Sequence, residues 1–248
     1  MALQAAIPYS REAFLGVFEA YNEAVWPAPV ILYLVAIACL MLVFHDRRWA
    51  RRTVLALLGG LWLWTGVVYH LLYFTEINTA AWGFGALFVA QALLLFLAAL
   101  GERTQMAVPP LSRSFGAIVV LYALVVYPML AVLSEHSYPR SPTFGTPCPM
   151  VVFTFGILLL TSQSVPWWLF VIPAGWALVG AAAPFQFGIW EDFGLIVAAV
   201  LAVAILIARS RRGAVLVQSE PSPPRPATGE LLGLDPDRLR DAAGRPRG

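Results

Sequence analysis

Chemistry in this chain has few places to reside: three histidines, two cysteines and one buried-looking Glu-Asp pair. His70 is the sharpest candidate, because it falls about one turn inside an apolar stretch, where an ionisable group is costly and faces a cavity or a partner. An imidazole there can ligate a metal, relay protons or hydrogen-bond a carboxylate. Its structural alternative is a buried ring satisfied by a backbone carbonyl or by Glu191. Glu191-Asp192 opens the last apolar stretch, where the pair either complements the helix dipole or holds a cation or proton at the mouth of a path. Tyr69, Tyr73, Glu76 and Asn78 surround His70 in sequence and form the expected wall of the same polar site. His136 and Cys148 approach from a proline-rich loop; Cys148, between Pro147 and Pro149 at a helix start, sits where the dipole favours thiolate. His70, His136, Cys148 and Glu191 (or Asp192) together make a zinc- or copper-type ligand set. No two of them share a close ligand spacing, so only the fold can assemble it. The expectation is convergence on one side of the protein within roughly 10 Å, about one helix diameter.

The elements that must position these groups are apolar helices. Hydrophobic residues make up 60% and charged residues 12% of 248, whereas about a quarter of a globular chain is charged. A bilayer core of roughly 30 Å asks for about 20 apolar residues per helix. The sequence offers seven candidate spans, at 27–44, 53–74, 81–100, 114–134, 149–165, 166–184 and 193–208. The fold class is therefore all-α, a polytopic transmembrane bundle of seven spans occupying 27–208. Merging the fifth and sixth would need one helix interrupted by Pro166 and Pro173. All sixteen Lys+Arg positions are Arg. With no Lys, a retinal Schiff base is excluded. No cleavable signal is expected, because residues 1–9 carry no basic region ahead of an apolar run.

The arginines predict an orientation. Arg47, Arg48, Arg51, Arg52, Arg103, Arg113, Arg209, Arg211 and Arg212 fall on one side, and only Arg11 and Arg140 on the other. Positive residues stay in the cytoplasm, which places the N-terminus outside and the C-terminus inside. Trp26, Tyr73, Trp82 and Trp190 then lie at the outer interface, and the net charge speaks of topology rather than nucleic acid. Residues 1–26 form an extracytoplasmic amphipathic segment; within it Phe14, Phe18, Tyr21 and Val25 recur at helical spacing, suited to a cap on the bundle. Residues 209–248 read as a disordered cytoplasmic tail, with six prolines among balanced charges from residue 213 onward. The order Pro-x-Pro, Trp, Phe-Gly-x-Leu occurs twice, from Pro27 and from Pro147, and suggests a 3+1+3 parallel repeat.

Several motifs point further. Tyr21-Asn22-x-Ala24-Val25-Trp26-Pro27, Trp62-Leu63-Trp64, Tyr69-His70, Ile77-Asn78, Tyr138-Pro139, Pro142-Thr143-Phe144-Gly145-x-Pro147-Cys148-Pro149 and Glu191-Asp192 resemble an uncharacterised family of bacterial multi-pass membrane proteins, a domain of unknown function. The resemblance covers roughly 14–208 and implies a bacterial inner-membrane location without implying an activity. From the residues, the leading reading is a small-solute or ion transporter or channel, supported by fold analogy. The alternatives are a membrane-embedded metal-dependent lipid hydrolase, or a sensor or assembly partner with a ligand-binding lid. No Gly-x-Ser-x-Gly elbow or His-Glu-x-x-His helix is present to favour an enzyme. The expected partners are the lipid bilayer, an unidentified small solute or ion, and a further copy of the chain in a homo-oligomer.

Overall fold

A computed structural model describes residues 9–101, 108–134, 136–161 and 165–219, with side chains described as far as Ala208. The described residues are all-α and contain no strand. Helix α1 spans Arg11–Ala24, α2 Ala28–Val43 and α3 Arg48–Trp64. The third continues as a π-helical stretch, Thr65–Tyr73, and a short turn, Phe74–Glu76. Helix α4 is Ala81–Leu100; α5, Pro110–Leu121, passes through a π turn at Tyr122–Val126 into α6, Tyr127–Leu133. Helix α7 is Pro147–Leu160, α8 Val171–Gly180, α9 Ala183–Phe187 and α10 Phe193–Ser219. Ile207 onward forms a second unit, of which only the continuation of α10 to Ser219 is described. Glu102, Arg103, Glu135, Ser162-Gln163-Ser164 and the tail from residue 220 lie outside the described residues.

Among the described residues, five helical segments are long and apolar enough to cross a bilayer: Arg48–Glu76, Ala81–Leu100, Pro110–Leu133, Trp167–Phe187 and Trp190–Ala208. A sixth is added there if α1 and α2, which meet at a bend of 85°, count as one span. The remaining stretch is short for a physical reason. Helix α7 stops at Leu160, where Thr161 turns extended, so its 14 residues rise only about 21 Å. The protein is an integral membrane protein by its apolar surface as well as by its helix lengths. Val30, Ile31, Leu34, Ile37 and Met41 run exposed along α2, and Leu87, Leu93, Leu97 and Leu100 along α4. A soluble protein does not leave such continuous apolar faces in water.

The middle of the bundle is organised around α7. Thirteen of its fourteen residues are buried, Cys148 being the exception; a helix apolar on every side belongs inside a protein. Its closest neighbour is α5, reached through Gly116 and Gly156. A Cβ on Gly156 would stand 2.9 Å from Val120 N and 3.0 Å from Gly116 O. Small residues permit this backbone approach, which supplies packing where lipid offers no hydrophobic drive. Polar groups in this region fold back on the helices as glue. Thr154 Oγ1 donates to Met150 O at 2.9 Å and accepts from Trp62 Nε1 at 3.0 Å. Gln91 Nε2 donates to Leu169 O at 2.8 Å, and Thr161 Oγ1 to Ile157 O at 2.7 Å.

One end of the bundle is capped. Ser10 starts α1 by accepting from Ala13 N at 3.2 Å. The helix then lays Leu15, Phe18 and Tyr21 across the π-helical end of the third helix and across α9, forming a second apolar cluster separate from that around α7.

Candidate functional site

The cap is held by Asn22. Its Nδ2 donates to Pro139 O at 2.6 Å and to Ser141 O at 2.9 Å, while its Oδ1 accepts from Thr143 Oγ1 at 2.6 Å. One buried amide thus ties α1 to three points of the proline-rich loop before α7, which prolines keep from becoming helical. The loop is pinned again from below, where Thr65 Oγ1 donates to Gly145 O at 3.0 Å. Gly145 carries φ 110° and has Tyr21 Oη 2.9 Å from where a Cβ would stand, so the residue must be glycine on both counts. Tyr21 in turn accepts from Trp64 Nε1 at 2.8 Å. The loop is a fixed lid. The exposed Arg140–Glu19 pair at 3.4 Å adds little to it.

Beneath the lid lies a cavity of about 360 Å³. Its wall is mostly apolar and rich in rings: Phe14 and Phe18 from α1, Tyr69 and Phe74 from the third helix, Trp176 from α8 and Phe187 from α9. Phe14 and Phe187 stack closely, with centroids 4.4 Å apart and rings inclined by 28°. Tyr9 also lines the cavity, and burial raises its phenol above the ordinary value, opposed by a hydrogen bond with Asn78. It therefore stays neutral at physiological pH. The polar wall consists of Asn78, Thr146, Cys148 and Asp192.

The two carboxylates have separate partners. Glu191 Oε1 meets His136 Nε2 at 3.1 Å with both side chains buried, leaving Glu191 Oε2 unpartnered. Asp192 Oδ1 accepts from Tyr127 Oη at 2.5 Å, and Tyr122 Oη donates to the Glu191 main-chain oxygen at 2.6 Å. On a regular α-helix, residues five apart point about 140° away from one another. The π turn between Tyr122 and Tyr127 brings both to the start of α10. It stands immediately before Pro128, whose ring would otherwise clash with the carbonyl one turn back.

His70 is fully buried, and its surroundings are rings rather than charges. Phe88 and Trp176 lie at centroid distances of 4.6 and 5.0 Å, and neither imidazole nitrogen has a hydrogen-bond partner. Trp176 Nε1 is likewise buried, and its neighbour is the Cys148 thiol, a weak acceptor. Cys148 stands beside both Trp176 and Asp192. His70 thus connects to the carboxylate end through Trp176 and Cys148, while Glu191 is occupied by His136. Among the described residues no three of His, Cys, Asp and Glu are grouped so as to share a metal ion. Cys39 and Cys148 are both free thiols.

Residues 11–215 match DUF6064, a family of unknown function. The chain belongs to that family. The match takes in α1, the lid, the cavity and every long apolar helix, in agreement with the resemblance read from the motifs. No curated protein and no solved structure matches the chain.

Of the residues singled out in the sequence, Tyr69, Asn78, Cys148 and Asp192 share the cavity wall. Tyr73 packs edge-on to Tyr21 at 5.6 Å, and Glu76 is exposed. His136 and Glu191 form their own pair at the edge of an adjoining cleft lined by Arg11, Ser134 and Trp190. Asn22, Trp176, Tyr127 and the Phe14–Phe187 stack carry the site as well, and the spacing arguments missed them. Asn22 had a usable signal: it is a lone amide beside Phe18 and Tyr21 on the apolar side of α1.

Proposed function

We propose that this member of the family is a membrane-embedded binding protein for a small, mainly apolar molecule, held in the cavity beneath the lid. The observation that carries this reading is the cavity itself. A volume of about 360 Å³ lies within the range of small-molecule sites, which are largely apolar with a few placed polar groups. Trp176 Nε1 in its wall is a buried donor whose neighbour is the Cys148 thiol, a weak acceptor, so a better acceptor on a ligand would suit it. The fixed lid over a packed bundle suits a receptor or assembly partner. The arginine distribution supports an orientation with the N-terminus and the cavity on the outer side, in a seven-span bundle that we assign to a bacterial inner membrane. In that arrangement α7 is the fifth of seven crossings, shielded from lipid by the other helices, and the two Pro-x-Pro halves are a 3+1+3 repeat.

Transport of the same ligand is the second reading. It is favoured by the π-helical stretches at Thr65–Tyr73 and Tyr122–Val126, which interrupt the regular ladder beside the cavity. Metal-assisted lipid hydrolysis would require His70, His136, Cys148 and Glu191 around one ion. The pairing of His136 with Glu191, and the ring environment of His70, favour ligand binding over it.

The test uses the full chain in lipid nanodiscs with tritiated 4-phenylbutan-1-ol and 4-phenylbutylamine. Saturable binding above that of empty discs is expected for at least one probe, and Ala182→Phe, which fills the cavity wall, should abolish it. Uptake of both probes that never exceeds empty discs overturns the binding reading. Protein-dependent accumulation inside sealed vesicles would move the assignment from binding to transport.

A further inference from the structure

Resting on the reading of the cavity as a ligand site, we infer that its ligand is an organic cation: an ammonium group carried on an apolar body, with Asp192 as counter-charge. Asp192 is 2% exposed and lines the cavity. Its partners are the Tyr127 hydroxyl and the neighbouring Cys148 thiol, neither of which carries positive charge. The Tyr127 hydroxyl donates to Asp192 Oδ1 at 2.5 Å. A buried carboxylate is costly unless an opposite charge faces it, and among the described residues the cationic group acting on Asp192 is the His136 imidazole, which it shares with Glu191. His136 is taken by Glu191, and no Arg or His is among the residues lining this cavity. Arg11 is turned away, its Nε donating to Phe187 O at 2.8 Å, and it lines the adjoining cleft instead.

The rest of the wall suits the same ligand. Trp176, Tyr69, Phe14, Phe74 and Phe187 present ring faces and edges around the cavity. Aromatic boxes of this kind recognise desolvated ammonium groups through the ring quadrupole, with Trp the strongest face. A carboxylate ligand would meet Asp192 with Glu191 next to it in the chain. A neutral alcohol would fill the volume and add no counter-charge for Asp192.

The test compares three probes that share one body and differ in the head group: 4-phenylbutylamine, 4-phenylbutan-1-ol and 4-phenylbutyrate. Each is titrated against the full chain in nanodiscs, with empty discs subtracted. The amine is expected to bind at least about tenfold more tightly than the alcohol, with phenylbutyrate weakest. In Asp192→Asn the amine's advantage should fall to within about threefold. Trp176→Leu serves as a second variant if the first does not accumulate, and should weaken the amine more than the alcohol. The quaternary 4-phenylbutyltrimethylammonium has no N–H to donate and should retain the amine's advantage. Equal binding of amine and alcohol by the wild type overturns the cation assignment while leaving the cavity as a neutral-ligand site. An amine preference that survives both substitutions also overturns it. If no probe saturates, the binding reading falls and takes this inference with it.

Discussion

The lid end and the middle of the bundle are built from the same apolar helices yet obey opposite rules. Around α7 the side chains are Val, Leu, Ile and Phe, and the backbones of α5 and α7 touch through Gly116 and Gly156. The few hydroxyls there bond their own helix or a neighbouring indole. At the lid end, buried His70, His136, Asn22, Glu191 and Asp192 gather within a few turns of one another in the fold, and several of their polar atoms have no protein partner. Lipid punishes unsatisfied polar groups severely; His70 and Glu191 concentrate them at the lid end, whereas the middle has Gln91 Oε1, and that concentration is what the proposed ligand site rests on. The packed middle teaches the converse. A solute path through it would have to separate helices whose backbones are already in contact.

The contrast can be broken, starting with the largest effect. His136→Ala leaves the Glu191 carboxylate buried and alone, and should destabilise the protein by about 3–5 kcal/mol in detergent denaturation. Glu191→Gln on the His136→Ala background should recover part of that loss. Gly156→Val drives a branched side chain into Val120 N and Gly116 O, and an unfolding loss of about 3 kcal/mol is expected. The molecules that still fold should bind the probe normally, because the site is at the other region. Asn22→Ala strands two lid carbonyls and the Thr143 hydroxyl, at a smaller cost of about 2 kcal/mol. Here, unlike Gly156→Val, probe binding should fail in the folded fraction, and proteolysis should cut first within 137–146. Gly175→Ala is the smallest change. Nothing lies within 4 Å of the added methyl group, so helix propensity should raise stability by up to about 1 kcal/mol with binding unaltered. A Gly175→Ala loss as large as that of Gly156→Val would erase the distinction between a lipid-facing glycine and a packing one.

Much of the helical architecture was legible because apolar runs of about 20 residues have little alternative in lipid. The cap was legible too, since Phe18 and Tyr21 repeat at helical spacing and both are buried. The span count was less so. Pro147–Leu160 reads as apolar enough to cross, but where it stops depends on Thr161 and on neighbours that hydropathy does not see. Within the site, the burial of His70 followed from its place in an apolar stretch, whereas its ring environment depends on Phe88 and Trp176, which come from two other helices. The assignment of Glu191 to His136 bridges 55 positions, and the joint aim of Tyr122 and Tyr127 depends on a π turn. Neither leaves a periodic trace. Asn22 and Trp176 matter through tertiary hydrogen-bonding capacity, which residue type suggests and only the fold reveals.

The enclosure of α7 also constrains how the molecule is made. A segment of 14 residues with thirteen of them against protein has little claim on the bilayer by itself, being about 9 Å short of the hydrocarbon thickness. As the chain leaves the ribosome, α8, α9 and α10 do not yet exist when Pro147–Leu160 emerges. The earlier helices can offer it only part of its eventual surroundings. Its final seat is therefore completed by sequence synthesised after it, and the cavity anchored at its Pro147 end is walled in only when α8, α9 and the start of α10 have arrived.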